Sequence, residues 1–452
     1  MLYRLREGGF QGFLVGGCVR DLLLGIEPKD FDVATDALPE QVRKLFRNCR
    51  LIGRRFRLAH VYFGRDIIEV ATFRAATVPF SAPEALSDPD AEEEDDEAKQ
   101  LDTEESDSAA SEPTVLDADT ERLFDKSGRI LYDNVYGTIE EDVWRRDFTA
   151  NALYYNIADF SVWDYVGGVE DIAARRLKLI GDPDTRYRED PVRMLRAARF
   201  EAKLAFSIDP ATAEPLERLR ERLGDVPPAR LFEEVLKLFL NGSGEKSLAV
   251  LRRRGLLSVL LPSVELYLAS ERGPAAEALL LRGLSNTDAR VREGKAVTPS
   301  FLFALLLYGP IARLIEAAPP ERWHDIPTIL DACDRAVREA QKHVLIPRRF
   351  SLGLREMFAL QPRLEHPRGR RALRVLEHPR FRAAYDLLQL RAQASLASQE
   401  RADWWKRLQE VSAEEREELI AGLEQPGANG PRPAGRRRGV RRRRRAHSAG
   451  PV

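Results

Sequence analysis

Asp30 and Asp32 flank Phe31, and a Gly16-Gly17 pair and Arg20 precede them by a short stretch. In an extended segment, residues i and i+2 point to one face. The spacing therefore predicts two carboxylates side by side, with Phe31 packing beneath. Such a pair repels unless a cation lies between the carboxylates, and a hard divalent ion such as Mg2+ suits oxygen donors. Adjacent glycines let backbone N–H groups approach a phosphate, and Arg20 on the following helix adds a two-pronged cation. Metal-holding carboxylates opposite a phosphate cradle are the equipment of phosphoryl or nucleotidyl transfer. The segment Asn241-Gly242-Ser243-Gly244-Glu245-Lys246-Ser247 is only a lookalike of a Walker loop. It lacks Gly-Lys-Ser and is expected to cap a helix.

The surrounding chain predicts how this constellation is held. Residues 12–16, 29–34, 59–63 and 66–73 pattern as strands, and 39–46 as a connecting helix. After about residue 185 the pattern is mostly helical. Leu231, Val235 and Leu238 share one face, and Asp190-Pro191 reads as an N-cap followed by a first-turn proline. The expected fold is an α/β head with a small mixed sheet, followed by an all-α neck and body. The expected divisions are 1–160 for the head, 161–245 for the neck, 246–395 for the body and 396–452 for a helical end with a tail.

The net charge of −1, from 71 basic and 72 acidic residues, is a cancellation. Glu84 to Glu121 carries 17 acids and one base, whereas Arg432 to Arg445 carries nine arginines and no acid. Neither stretch has the bulky apolar residues needed for a core, so both are expected to be disordered: an insertion in the head at about 80–125, and a terminal tail. The tail arginines Arg436, Arg437, Arg438, Arg441, Arg442, Arg443, Arg444 and Arg445 suit sequence-independent contact with RNA phosphates. Docking of acidic RNA-decay proteins is a second use for them, and the acidic loop is expected to compete with RNA for the basic surfaces. No apolar run is long enough for a membrane helix, and Phe301–Tyr308 ends at Gly309-Pro310. The first residues lack the pattern of a signal peptide, and three scattered cysteines fit neither a disulfide framework nor a zinc site, so a cytoplasmic protein is expected.

The run Leu14-Val15-Gly16-Gly17-Cys18-Val19-Arg20-Asp21-Leu22-Leu23-Leu24-Gly25, followed by Asp30-Phe31-Asp32, resembles the class II nucleotidyltransferase superfamily. That superfamily contains CCA-adding enzymes and bacterial poly(A) polymerases. Arg145-Arg146-Asp147-Phe148-Thr149-Ala150-Asn151 is similar to its ribose- and triphosphate-handling motif, and Glu189 to Phe200 to its base-selecting motif. The resemblance implies that Asp30 and Asp32 hold Mg2+, and that Gly16, Gly17, Arg20, Arg146 and Asn151 handle the nucleotide. It further implies that Glu189, Asp190, Arg193 and Arg196 select the base. Two guanidinium forks on one helix face could read a base edge and touch phosphate, or could pair with acids such as Glu189 and Glu201. Asp147, kept ionised by its arginine neighbours, and Glu69, on the strand beside the aspartates, are rivals for a further site carboxylate.

Leu51 to Val61 resembles a signature of the bacterial poly(A) polymerases that CCA-adding enzymes typically lack. Its Arg54, Arg55 and Arg57 would bind RNA or the triphosphate; His60 is read as a structural hydrogen-bonder. The implied activity is Mg-dependent, template-independent AMP addition from ATP to RNA 3′ ends in mRNA, small RNAs and decay fragments. The alternatives are a CCA-adding tRNA nucleotidyltransferase and, from another class, a noncatalytic RNA-binding scaffold. The long acidic insertion and the short segment before the first strand depart from the resemblance without touching its motif residues.

Overall fold

The computed structural model describes residues 1–53, 57–64, 66–75 and 135–423, together with the backbone of 122–124 and 130–133. Arg54, Arg55, the acidic run from Glu84 to Glu121 and the tail arginines from Arg436 to Arg445 lie outside the described residues.

The head is built on β1 (Gly12–Val15), β2 (Asp32–Thr35), β3 (Cys49–Ile52), β4 (Leu58–Phe63) and β5 (Asp66–Thr72). A separate hairpin follows, β6 (Arg122–Phe124) with β7 (Ile130–Asp133), before β8 (Leu153–Asn156) and β9 (Val162–Asp164). The sheet is seven-stranded and mixed, in the order β3-β4-β5-β2-β1-β8-β9. β2 runs parallel to β5, with Asp32 opposite Glu69, whereas β1 is antiparallel to both β2 and β8.

Period-two alternation supplies both faces of this sheet. Phe13, Val15, Phe73 and Tyr154 pack on one side with Ile139 and Val143 of α4 (Ile139–Arg145). Val33, Ala59, Val61 and Val70 pack on the other with Leu5 of α1 (Leu2–Glu7) and Val42 of α3 (Pro39–Leu45). Between these helices in the chain lies α2 (Gly17–Leu23), whose Cys18 and Val19 belong to a different core. That core continues through α5 (Gly168–Ala173), α6 (Pro183–Glu189) and α7 (Val192–Leu204), then α8 (Pro210–Leu219), α9 (Pro228–Phe239) and α10 (Gly244–Arg253), to Trp405. The helix after the glycine turn is therefore packed with the helical neck, which ties the two halves of the site together.

Three sequence expectations change. The strand predicted from Lys29 begins only at Asp32, because β1 pairs up to Val15 and the chain then turns away at Gly16. Asp30 precedes the strand, and Phe31 is 42% exposed instead of packed beneath the carboxylates. A strand that the sequence pattern did not mark, Cys49–Ile52, pairs antiparallel with β4.

The Walker lookalike opens α10, whose Gly244 and Glu245 amides donate to the Asp288 carboxylate at 2.7 and 3.1 Å. Among the described residues, no single helix is long and apolar enough to cross a membrane.

Candidate active site

The glycine turn works because Gly16 has a φ of +76°, where a side chain is strained. The demand is on the backbone, since a Cβ on Gly16 would make only ordinary contact, 3.5 Å from the Asn151 carbonyl and 3.6 Å from the Arg146 guanidinium. Gly17 then starts α2, whose first amides have no side-chain cap. Arg20, one turn further on, is buried. It donates from Nε and Nη2 to Asp21 at 2.8 and 2.6 Å, and from Nη1 to Asn151 Oδ1 at 2.5 Å. Its guanidinium lies over the Phe200 ring, 5.3 Å from the centroid. Arg196 and Arg199 approach the same ring, at 5.6 and 4.8 Å.

The carboxylates gather at the edge of this turn. Asp32 sits opposite Val15 on one side and opposite Glu69 on the other. Lost hydration pushes the Asp32 carboxyl above the ordinary aspartate range; the charge of Glu69 adds to the rise, Arg146 opposes it, and Asp30 raises it further. A cluster of like charges that the protein's own cations leave unneutralised fits a divalent metal, and its oxygen donors fit Mg2+. Glu69 also meets the His60 ring, Nε2 to Oε1 at 3.1 Å, across the β4–β5 pairing.

Asp147 has different company. Burial disfavours its charge, but Arg196, the Phe148 amide and Asn151 outweigh that and hold it down to about 2. Arg196 reaches it from Nη2 at 2.5 Å and Nε at 2.6 Å. Of the two rivals for a further site carboxylate, Glu69 is the one that stands beside Asp32.

The capping box of Thr138 and Glu141 starts α4, and the chain leaves that helix extended at Arg146. Arg146 is held at 2.8 Å by Asp142, one turn back, and it donates to the Tyr154 hydroxyl at 2.7 Å. Tyr154 in turn donates to Asp142 at 2.7 Å. Burial works against the Arg146 charge, but Asp142 and Tyr154 prevail and raise its pKa.

The residues expected to select the base lie where α6 gives way to α7. The Asp190 carboxylate accepts from the Val192 amide at 3.3 Å and from Arg230 of α9 at 2.6 Å. Glu189 accepts from Arg186 at 2.8 Å and from Arg193 at 2.9 Å. Arg193 and Arg196 are thus fixed by different acids, Glu189 and Asp147; Glu201 pairs instead with Arg253 and Arg254. Arg57 forms an exposed pair with Glu40 at 2.9 Å.

Comparison with known proteins gives this geometry a family. Residues 12–178 match the poly A polymerase head domain, 205–268 a probable RNA- and SrmB-binding site of polymerase A, and 321–446 the polymerase A arginine-rich C-terminus. Poly(A) polymerase I of Salmonella typhi is 44% identical over 99% of this chain and 88% of its own. The chain belongs to the poly(A) polymerase I family. The CCA-adding enzyme of Bacillus pumilus is 31% identical over 56% of this chain and 51% of its own. A solved tRNA nucleotidyltransferase, complexed with a primer tRNA and an incoming ATP analog, shares the fold with a TM-score of 0.56. It is 20% identical and covers 91% of this chain and 99% of that one.

Several supports of the site escaped the sequence reading. The Asp142–Arg146 spacing of four on a helix was open to it. Tyr154 and Arg230 carry no local signal; they, and the part of Phe200 as a platform for three arginines, become visible only when β8, α7 and α9 are in place.

Proposed function

We propose that this chain, a poly(A) polymerase and hence a nucleotidyltransferase, adds AMP from ATP to RNA 3′ ends without a template and releases pyrophosphate. The observation that carries the reading is the crowding of Asp30, Asp32 and Glu69 beside the Gly16 turn, with the Asp32 carboxyl pushed up by its surroundings. Asp30 and Asp32 would hold Mg2+, with Glu69 as the added carboxylate. When bound there, the metal supplies charge neutralisation and Lewis acidity at the α-phosphate.

The chain's own residues do the remaining work. The Gly16-Gly17 backbone, Arg20 and Arg146 grip the triphosphate, and Asn151 fixes Arg20. Glu189, Asp190, Arg193 and Arg196 form the adenine-selecting wall. Their anchors are in place before ATP arrives, so little reorganisation is needed on binding. Asp147 then acts as the anchor of Arg196. A wrong base leaves polar groups of this wall unpaired, which discriminates strongly without a template. The primer 3′ hydroxyl attacks the α-phosphorus in line, and pyrophosphate departs against the arginines.

RNA is gripped by Arg54, Arg55 and Arg57 and by the arginine tail. The RNAs would be mRNA, small RNAs and decay fragments in the cytoplasm, with RNA-decay proteins as further partners of the tail. The decisive experiment offers ATP and CTP separately to an unstructured RNA and to a tRNA lacking its CCA end. Long ATP-dependent tails on both are expected. CMP addition, or inactivity on the unstructured RNA, would refute the reading in favour of CCA addition.

A further inference from the structure

We propose that His324, Glu365 and His366 form a second metal site in the helical body, of the type that takes a zinc-class ion. Each residue offers one ligand atom, and the three atoms lie within 4.8 Å of one another. Zinc–nitrogen bonds of about 2.0–2.1 Å place tetrahedral ligands roughly 3.4 Å apart, so modest rotation of the two exposed imidazoles closes the set. Two imidazoles and one carboxylate are donors for zinc, whereas the all-oxygen cluster of the head suits Mg2+.

The three side chains are available in the way such a site requires. Neither imidazole makes a side-chain hydrogen bond among the described residues. The two rings meet each other, with centroids 5.1 Å apart and planes crossing at 88°. Glu365 closes the long helix Arg348–Glu365, and His366 follows as its C-cap. The half-buried Arg391 donates to Glu365 Oε1 and, at 3.0 Å, to Gln361 Oε1. Arg391 therefore fixes the carboxylate through one oxygen and leaves Oε2 to face a cation, as outer-shell partners of metal ligands do.

His324 comes from the turn just before the helix Ile326–Gln341, so a bound ion would staple that turn to the end of the longer helix. A cavity of about 460 Å³ opens beside the two histidines, lined also by Arg363, Arg368, Arg371 and Arg374. None of these four arginines is ion-paired among the described residues. They would repel a bare dication but favour one that carries an anion in its open fourth position, such as a phosphate oxygen.

The test is titration of the chelator-treated full-length chain with Co2+, read by the intense visible absorption of a four-coordinate ion. One equivalent of this species is expected, displaced by zinc. His324→Ala and His366→Ala should each abolish it. It should survive in Asp30→Asn/Asp32→Asn and in His60→Ala, which alter the carboxylate and imidazole donors of the head. Zinc should also raise the Tm of the wild-type chain and of the Asp30→Asn/Asp32→Asn chain but not of the His366→Ala chain. Absence of the band, or its persistence in a His324→Ala/His366→Ala chain that still melts cooperatively, would overturn the site.

Discussion

Asp32 and Glu69 are register partners in the parallel ladder of β2 and β5, one strand away from the glycine turn. Parallel pairing sets Asp32, the first residue of β2, beside Glu69 in the middle of β5, and the charge of Glu69 raises the Asp32 pKa against the opposing effect of Arg146. Asp30 approaches from the preceding loop and adds to the strain on Asp32. The head thus accepts repulsion at the point where the proposed reaction would hold a dication, a compromise typical of active sites.

That compromise predicts opposite effects on stability and activity. A carboxyl whose folded pKa is raised destabilises the fold increasingly as pH climbs through that pKa. At neutral pH and without metal, Asp32→Asn should therefore have a higher Tm than the wild type. AMP incorporation should fall by at least about 100-fold, while RNA binding stays intact. Mg2+ should raise the Tm of the wild type and not that of Asp32→Asn. A lower Tm for Asp32→Asn in chelator would contradict the repulsion.

The assignment of Glu69 over Asp147 can be tested by the metal itself. Glu69→Gln should raise the Mg2+ concentration needed for half-maximal activity. Asp147→Asn should leave that concentration unchanged and raise KM for ATP, because it frees Arg196 from its anchor. A Mg2+ shift in Asp147→Asn alone would reverse the assignment.

The glycine turn, Arg20 and the aspartate pair were legible because they lie close together in sequence and the chemistry of each is local. The position of Asp30 was not, since the strand starts where β1 gives it a partner, at Val15. Phe31 was misplaced for the same reason. The choice between Glu69 and Asp147 depended on a parallel pairing and on an ion pair across 49 positions, neither of which leaves a periodic trace. The helical neck was readable from its apolar period, but the acids that its arginines would choose were not. Arg193 takes the neighbour that the spacing offered, and Arg196 reaches back to the head.

That long-range pair should shape acid stability. Asp147 is held at about 2, below its ordinary 3.8, so its contribution is full above pH 4 and disappears as pH falls towards 2. The size is about 2–3 kcal/mol. Arg196→Ala strands a buried carboxylate and should cost about 3–5 kcal/mol at neutral pH. Without Arg196, only the Phe148 amide and Asn151 oppose burial, so the Asp147 pKa rises from its wild-type position and acidification relieves the variant. Urea denaturation from pH 7 to pH 3 should show the gap between the two proteins narrowing; a constant gap would contradict the pairing.

The Tyr154 hydroxyl links the sheet to Arg146, the proposed triphosphate contact. It accepts from Arg146 and donates to Asp142, both at 2.7 Å, in a buried triangle. Tyr154→Phe keeps the ring that packs edge-on against Phe13 and removes only the hydroxyl. The loss leaves Arg146 Nε with only its longer 3.2 Å bond to Asp142 and takes one donor from that carboxylate, and should cost about 1–3 kcal/mol of stability. Arg146 keeps its ion pair with Asp142, so its charge persists while its aim loosens. KM for ATP should therefore rise several-fold with the Mg2+ dependence unchanged. Asp142→Asn, which removes the charge that holds Arg146, should raise KM further. Equal KM values for wild type and Tyr154→Phe, measured at matched stability, would show that the triangle only supports the fold.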